Sequence, residues 1–342
     1  MKIILSIDGG GIRGIIPVSI LCYLEKKIQE IKDDKKFRIA SYVDLVAGTS
    51  TGAIIGAAML IPNGNSSPKY SMEDILQIYI NMGEKIFKTS FWHNLKNGWS
   101  LLGPKYPNYN IEKPLEKFGK CKMKHLIKPC MFTGYDIIKR KVQFYTNMDK
   151  KRKFAEYYVK DIVRGSTAVP SYFSPAYFKY GKNINTVIDG GMFANNPSMA
   201  AYVEASKIAF NKNGIHEKVK ERSPKDLFII SLGTGRYQFI QYSYKKAKKW
   251  GNLQWINPII DILLTSHTRV ICYEMEKLYS AHDRSEHFIR LNPPLIKASP
   301  EFNDASTENL NNLADDVNLW INENKTRLNL LAHTICDIKT DL

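Results

Sequence analysis

Short apolar runs that stop abruptly at glycine-rich turns recur along this chain, and they limit what it can fold into. Ile3 to Ile7 runs into Asp8-Gly9-Gly10-Gly11-Ile12-Arg13-Gly14, and Val43 to Ala47 into Gly48-Thr49-Ser50-Thr51-Gly52. Val187-Ile188 runs into Asp189-Gly190-Gly191, and Leu227 to Ser231 into Leu232-Gly233-Thr234-Gly235. Each run reads as a buried strand. Helical patterns lie between them. Ile20, Leu21, Leu24, Ile28 and Ile31 form one stripe, and Ile75, Ile78, Tyr79, Met82 and Ile86 another, while Ala53 to Leu60 reads as a buried helix. Strands alternating with helices predict an α/β sandwich with a largely parallel sheet.

Other segments fit that scheme. Pro129 to Tyr135 and Lys141 to Tyr145 predict paired strands, and Asn196-Pro197 predicts an N-cap with proline at the first helical position. Trp255 to Leu278 and Leu310 to Leu331 predict helices, whereas Lys88 to Asn110 reads as a long aromatic and basic loop. No internal repeat or linker is evident. The expectation is one domain over residues 1–342, with a catalytic core to about 235 and a C-terminal helical region beyond it.

A chain of 342 residues, 44% hydrophobic, is ample for one large core. The formal net charge of +16 bears on partners and not on fold. Nucleic acid, an anionic lipid surface and an acidic small ligand all match it. No DNA- or RNA-reading motif stands near the lysine clusters, so solvated surface and then membrane attraction are the readings that remain. Five scattered cysteines without a CxxC pair suggest neither disulfides nor a zinc site, and fit reduced thiols in the cytoplasm. The apolar run before Asp8 is shorter than the ~7–15 residues of a secretory signal and reads as a first strand. No stretch reaches the ~20 apolar residues needed to span a bilayer, so any membrane is met from the side.

The turns carry the chemistry. Gly48 to Gly52 is a GxSxG between a strand and a helix, the setting a nucleophile elbow requires, and it puts Ser50 at a helix N-terminus where negative charge is favoured. Gly9 to Gly14 also fits GxGxxG. A dinucleotide site needs an acidic residue closing a second strand ~20 residues on, and here that stretch is lysine-rich helix and turn. The other use of successive glycine N–H groups is an oxyanion hole, where each donor lowers a barrier by ~2.7–4 kcal/mol. Asp189 at a strand end either caps its turn or serves a reaction. None of the seven histidines (His93, His125, His216, His267, His282, His287, His333) stands beside a glycine turn. An aspartate within hydrogen-bond reach of the serine makes histidine unnecessary.

DGGGIRG at Asp8 to Gly14, GTSTG at Gly48 to Gly52 and DGG at Asp189 to Gly191 together resemble the patatin-like phospholipases. Ser166 to Phe173 and Ser231 to Gly235 are similar to further blocks of that family, and the resemblance covers most of residues 1–290. It implies a three-layer α/β/α fold with extra C-terminal helices. It also implies calcium-independent hydrolysis of acyl esters of membrane phospholipids or galactolipids, without metal or cofactor. A Ser50–Asp189 dyad would act through an acyl-enzyme, with Gly9, Gly10, Gly11 and Thr51 around the oxyanion and Arg13, Gly14, Gly48, Gly52, Gly190 and Gly191 supporting the motifs. Gly191 departs from the alanine of many members. Arg13 would hold a lipid phosphate, brace the glycine loop or form a salt bridge.

Two further expectations concern membrane and regulation. Lys245-Lys246-Ala247-Lys248-Lys249-Trp250 precedes an apolar helix with Trp255, Ile256, Ile259, Ile260, Leu263 and Leu264, which reads either as a surface anchor or as ordinary core. Phe91-Trp92-His93, Trp99 and Leu101-Leu102 read as a lid or an acyl-pocket wall. Compact bacterial members of the family resemble anti-phage effectors, which implies a cyclic dinucleotide as activator.

Overall fold

The computed structural model describes residues 1–64, 67–89, 103–148, 153–207, 221–237 and 242–340. In chain order the elements are β1 (Lys2–Ile7), α1 (Ile15–Lys32), β2 (Leu45–Gly48), α2 (Thr51–Leu60), α3 (Met72–Ile86), α4 (Asn108–Leu115), β3 (Cys130–Asp136) and β4 (Lys141–Thr146). They continue with α5 (Val159–Ser166), β5 (Ala176–Tyr180), β6 (Asn183–Asp189), α6 (Gly191–Ala194), α7 (Ser198–Lys207) and β7 (Leu227–Leu232). Last come α8 (Tyr244–Ala247), α9 (Asn252–Ala281), β8 (Phe288–Leu291), α10 (Thr307–Glu323) and α11 (Lys325–Thr340).

The strands form one sheet in the order β5-β6-β3-β2-β1-β7-β8, with β4 paired to β3. β3, β2, β1, β7 and β8 are mutually parallel. The pairings of β4 and β6 with β3, and of β5 with β6, are antiparallel. Side chains alternate between the two faces. Ile3, Leu5, Ile7, Val46, Phe132 and Ile230 enter one core, with helices α1 to α5, α10 and α11. Ile4, Leu45, Ala47, Met131 and Ile229 enter the other, with Ala201 and Ala205 of α7 and Met275 and Tyr279 of α9. Covering both faces is why these strands read as unbroken apolar runs, and it makes the molecule a three-layer α/β/α structure.

β3 has an unusual division of its edges. β4 pairs along Met131 to Asp136. On the opposite edge β2 pairs with Cys130 to Phe132, and β6 pairs with Gly134 to Asp136. β2 is parallel and β6 antiparallel, so their C-terminal ends approach each other across Thr133. The turns after those strands hold Ser50 and Asp189.

The helix expected over Leu310 to Leu331 is two helices. Asn324 interrupts it with φ −106° and ψ 18°, its backbone N–H and its Nδ2 both donating to the Trp320 carbonyl. The last residues of the expected loop, from Asn108, begin α4 behind Pro107. Phe91, Trp92, His93, Trp99, Leu101 and Leu102 lie outside the described residues. The expected cap is present, with Asn196 Oδ1 accepting from the Ser198 N–H at 3.0 Å. The stretch beyond 235 also supplies β8, whose Arg290 forks onto Asp8 with contacts of 3.0 and 2.5 Å. Burial works against the Arg290 charge, but the Asp8 carboxylate outweighs it and holds the guanidinium pKa above its usual value. This pair anchors the start of the glycine loop to the far side of β7. Breaking a buried pair from one side leaves the other charge uncompensated, at a cost of about 3–5 kcal/mol. Urea unfolding of Arg290→Met should show a loss of that size, with much of it recovered in the Asp8→Asn/Arg290→Met double variant; equal losses would refute this account.

Candidate active site

Ser50 sits between β2 and α2 with φ 54° and ψ −117°, a region that residues with a side chain rarely occupy. The flanking glycines make the turn possible. A Cβ on Gly48 would stand 2.3 Å from the Gly52 carbonyl oxygen, and one on Gly52 would stand 2.1 Å from that of Ile7. The turn is fixed from outside as well. The Ser50 N–H donates to Ser166 Oγ at 3.0 Å, and Thr49 Oγ1 donates to the Ala194 carbonyl at 2.6 Å. Thr133 Oγ1 donates to Thr49 Oγ1 at 2.8 Å.

Asp189 ends β6 in complete burial. Ser50 Oγ donates to its Oδ2 at 2.6 Å, and the Gly191 N–H donates to its Oδ1 at 2.6 Å. Loss of solvent drives the carboxyl pKa up to about 7, against the opposing pull of these two hydrogen bonds. Among the described residues no histidine bonds to either group, and no cluster of His, Cys, Asp and Glu has the make-up of a metal site. A carboxyl poised near neutrality against a serine hydroxyl can take that proton directly.

The glycine loop lies beside the pair. The Gly9 N–H is engaged with the Asn195 carbonyl at 3.0 Å, whereas those of Gly10, Gly11 and Thr51 donate to no backbone oxygen among the described residues. The Gly11 carbonyl accepts from Thr51 Oγ1 at 2.9 Å and from the Tyr79 hydroxyl at 2.8 Å, tying the loop to α2 and α3. Gly11 itself has φ +58°, and a Cβ there would stand 2.1 Å from the Phe302 carbonyl oxygen. Arg13 is buried, donates from Nε to the Gly10 carbonyl at 3.4 Å and lies 5.2 Å from the Tyr237 ring centroid. Among the described residues it makes no ion pair, and its buried Nη1 has no hydrogen-bond partner.

From Ser50 and Thr51 an apolar cavity opens, about 490 Å³ counted out to its mouth, walled by Ile54, Met82, Ile86, Ile111, Phe173 and Phe302.

The model of the patatin-like phospholipase family matches residues 5–202. The chain belongs to that family. It is 32% identical to patatin-like protein 4 of Arabidopsis thaliana, over 97% of this chain and 86% of that protein. It is 30% identical to patatin-like protein 2 of Oryza sativa subsp. indica, over 99% and 88% of the two. A Solanum tuberosum relative named probable inactive patatin-3-Kuras 1 is 31% identical, over 91% and 83%.

The patatin-like site holds residues that the sequence did not single out. Thr133 touches both turns, since it bonds Thr49 and a Cβ on Gly190 would stand 2.0 Å from its Oγ1. Tyr79, Met82 and Ile86 read only as part of a helical stripe, and they line the cavity; a stripe does not say whether protein or ligand fills the space before it. At Gly191 a Cβ would stand 2.7 Å from Leu264 Cδ2 of α9, a side-chain end that can shift to admit the alanine of many members. A carboxyl that ionises near 3.8 when solvated and near 7 in the fold makes folding less favourable as pH rises between those values. The melting temperature of Asp189→Asn relative to the unsubstituted chain should therefore climb from pH 4 to pH 7 and level off above. A difference independent of pH would refute the raised ionisation.

Proposed function

We propose that this patatin-like chain is a lipid acyl hydrolase of the phospholipase A type, with Ser50 as nucleophile and Asp189 as its base. The observation that carries the reading is the 2.6 Å hydrogen bond from a strained serine at a helix N-terminus to a buried carboxyl near neutrality, at the floor of an apolar cavity. Asp189 takes the hydroxyl proton as Ser50 Oγ attacks the ester carbonyl. The N–H groups of Gly10, Gly11 and Thr51 receive the developing oxyanion, aided by the N-terminal end of α2. On collapse the leaving alcohol carries away the proton from Asp189, and an acyl-enzyme remains with its chain in the cavity. Asp189 then deprotonates a water that attacks the acyl carbon, and on collapse Asp189 returns the proton to Ser50 Oγ, which frees the fatty acid and restores both groups.

Phospholipid in a bilayer is the proposed substrate, met from the side, since no helix among the described residues is long and apolar enough to cross a membrane. A cyclic dinucleotide activator rests on the family resemblance alone and forms no part of the proposal. One relative is named as probably inactive, which gives a binding-only reading its footing. In that case Ser50 would not be labelled by a fluorophosphonate.

Fatty-acid release from phospholipid vesicles should fall at least ~10³-fold in Ser50→Ala, and comparably in Asp189→Asn, because groups that act as one unit fail together. Undiminished release by Ser50→Ala would end the proposal. Only the ionised Asp189 can accept the proton. Activity should thus rise about tenfold per pH unit below about 7 and level above it, while a rate flat from pH 5 to 8 would exclude Asp189 as the base.

A further inference from the structure

α9 presents apolar residues on two sides, and those of one side are partly exposed to solvent. Inward, Met275 and Tyr279 join the second core, Leu264 lies over Gly191, and Thr268 Oγ1 accepts from Asn195 Nδ2 at 3.1 Å. Outward, Trp255, Ile256, Ile259, Ile262, Val270 and Tyr273 recur at helical spacing and are 37–62% exposed. The sequence left open whether this helix was core or anchor. Its inner face is core and its outer face is a solvent-facing apolar stripe of the kind that marks an interaction site. At the N-terminal end of that stripe Lys245, Lys246, Lys248 and Lys249 are all exposed. Trp250 joins the two parts, packing edge-on against Trp255 at 4.9 Å.

We propose that the outer stripe of α9, with the lysines of the preceding turn, is the surface by which the chain docks on an anionic lipid bilayer. Charge selects the occupant. Residues 242–260 contain four lysines and no Asp or Glu, so the patch matches a negatively charged surface. A helix with lysines at one end and tryptophan on its apolar face is built to lie flat in the headgroup region. The position serves the chemistry proposed above, on which this inference rests for its purpose. Pro258, Asp261 and Leu264 of α9 wall a groove that also contains Arg13 and Asn195. A helix is ~10 Å thick, so a docked bilayer stands about one helix diameter from the Asp189 turn.

The test is co-sedimentation with vesicles of phosphatidylcholine alone and of phosphatidylcholine mixed with phosphatidylglycerol, run beside hydrolysis of a water-soluble short-chain nitrophenyl ester. Two variants bracket the surface, Ile256→Asp/Ile259→Asp for its apolar part and Lys245→Glu/Lys248→Glu for its charge. The full chain should bind the anionic vesicles preferentially. Each variant should bind at least ~10-fold more weakly, with soluble-ester hydrolysis unchanged. Binding by both variants equal to that of the unsubstituted chain overturns the proposal, as does loss of soluble-ester hydrolysis in both. A dimer in sedimentation velocity that the variants dissolve, with no vesicle binding, would assign the stripe to a second copy and overturn it too. Vesicle binding through the stripe without any ester hydrolysis would uphold docking and sink the hydrolase reading. Ester hydrolysis without vesicle binding would do the reverse.

Discussion

On the edge of β3 that faces away from β4, two strands arrive from opposite directions and stop on either side of Thr133. β2 delivers the Ser50 turn there and β6 delivers Asp189. A strand offers each edge position one hydrogen-bonding neighbour, so the two could not share this edge unless each stopped short. That constraint brings a serine and an aspartate 139 positions apart within 2.6 Å. Thr133 occupies the junction, bonding the Thr49 hydroxyl on one side and filling the space against Gly190 on the other. Most other features of the site, from the glycine flanks of Ser50 to the close fit at Gly190, follow from bringing two turns to one point.

The arrangement is costly in two places. Ser50 holds a backbone conformation of a kind that costs of order 1–3 kcal/mol. Asp189 is deprived of water, and its two hydrogen bonds only partly offset that loss. The surrounding fold absorbs both costs. The parallel strands on either side of β1 are buried on both faces, and the Asp8–Arg290 pair ties the glycine loop to β8 at the other end of the sheet. Strain and desolvation thus concentrate where three turns meet, while ordinary apolar packing elsewhere holds them in place.

α9 links this site to the outside of the molecule. Its inner side chains rest on the turn after Asp189, and its outer ones face solvent. One helix therefore contacts both the buried carboxyl's turn and whatever the outer stripe meets.

Much of this was legible in contiguous residues. Apolar runs ending in glycine turns located the strands, their alternation with helical stripes gave the α/β class, and the GxSxG setting singled out Ser50. These signals are local, because burial periodicity and turn chemistry are written within a few neighbouring positions. Other features were not legible in that way. The break at Asn324 rests on one residue leaving helical backbone geometry, and the Gly9 N–H is withheld by Asn195, which lies far along the chain. Arg290 reaches Asp8 across 282 positions, and the cavity beside Ser50 is closed by side chains from α2, α3, α4 and the segment around Phe302. The sequence by itself determined which residues could carry chemistry and what kind of layers would hold them. Only the tertiary structure decided which N–H groups find no backbone partner among the described residues, which apolar stripe lines a cavity and which face of α9 is exposed, because those outcomes depend on strand register and on contacts between residues far apart in the chain.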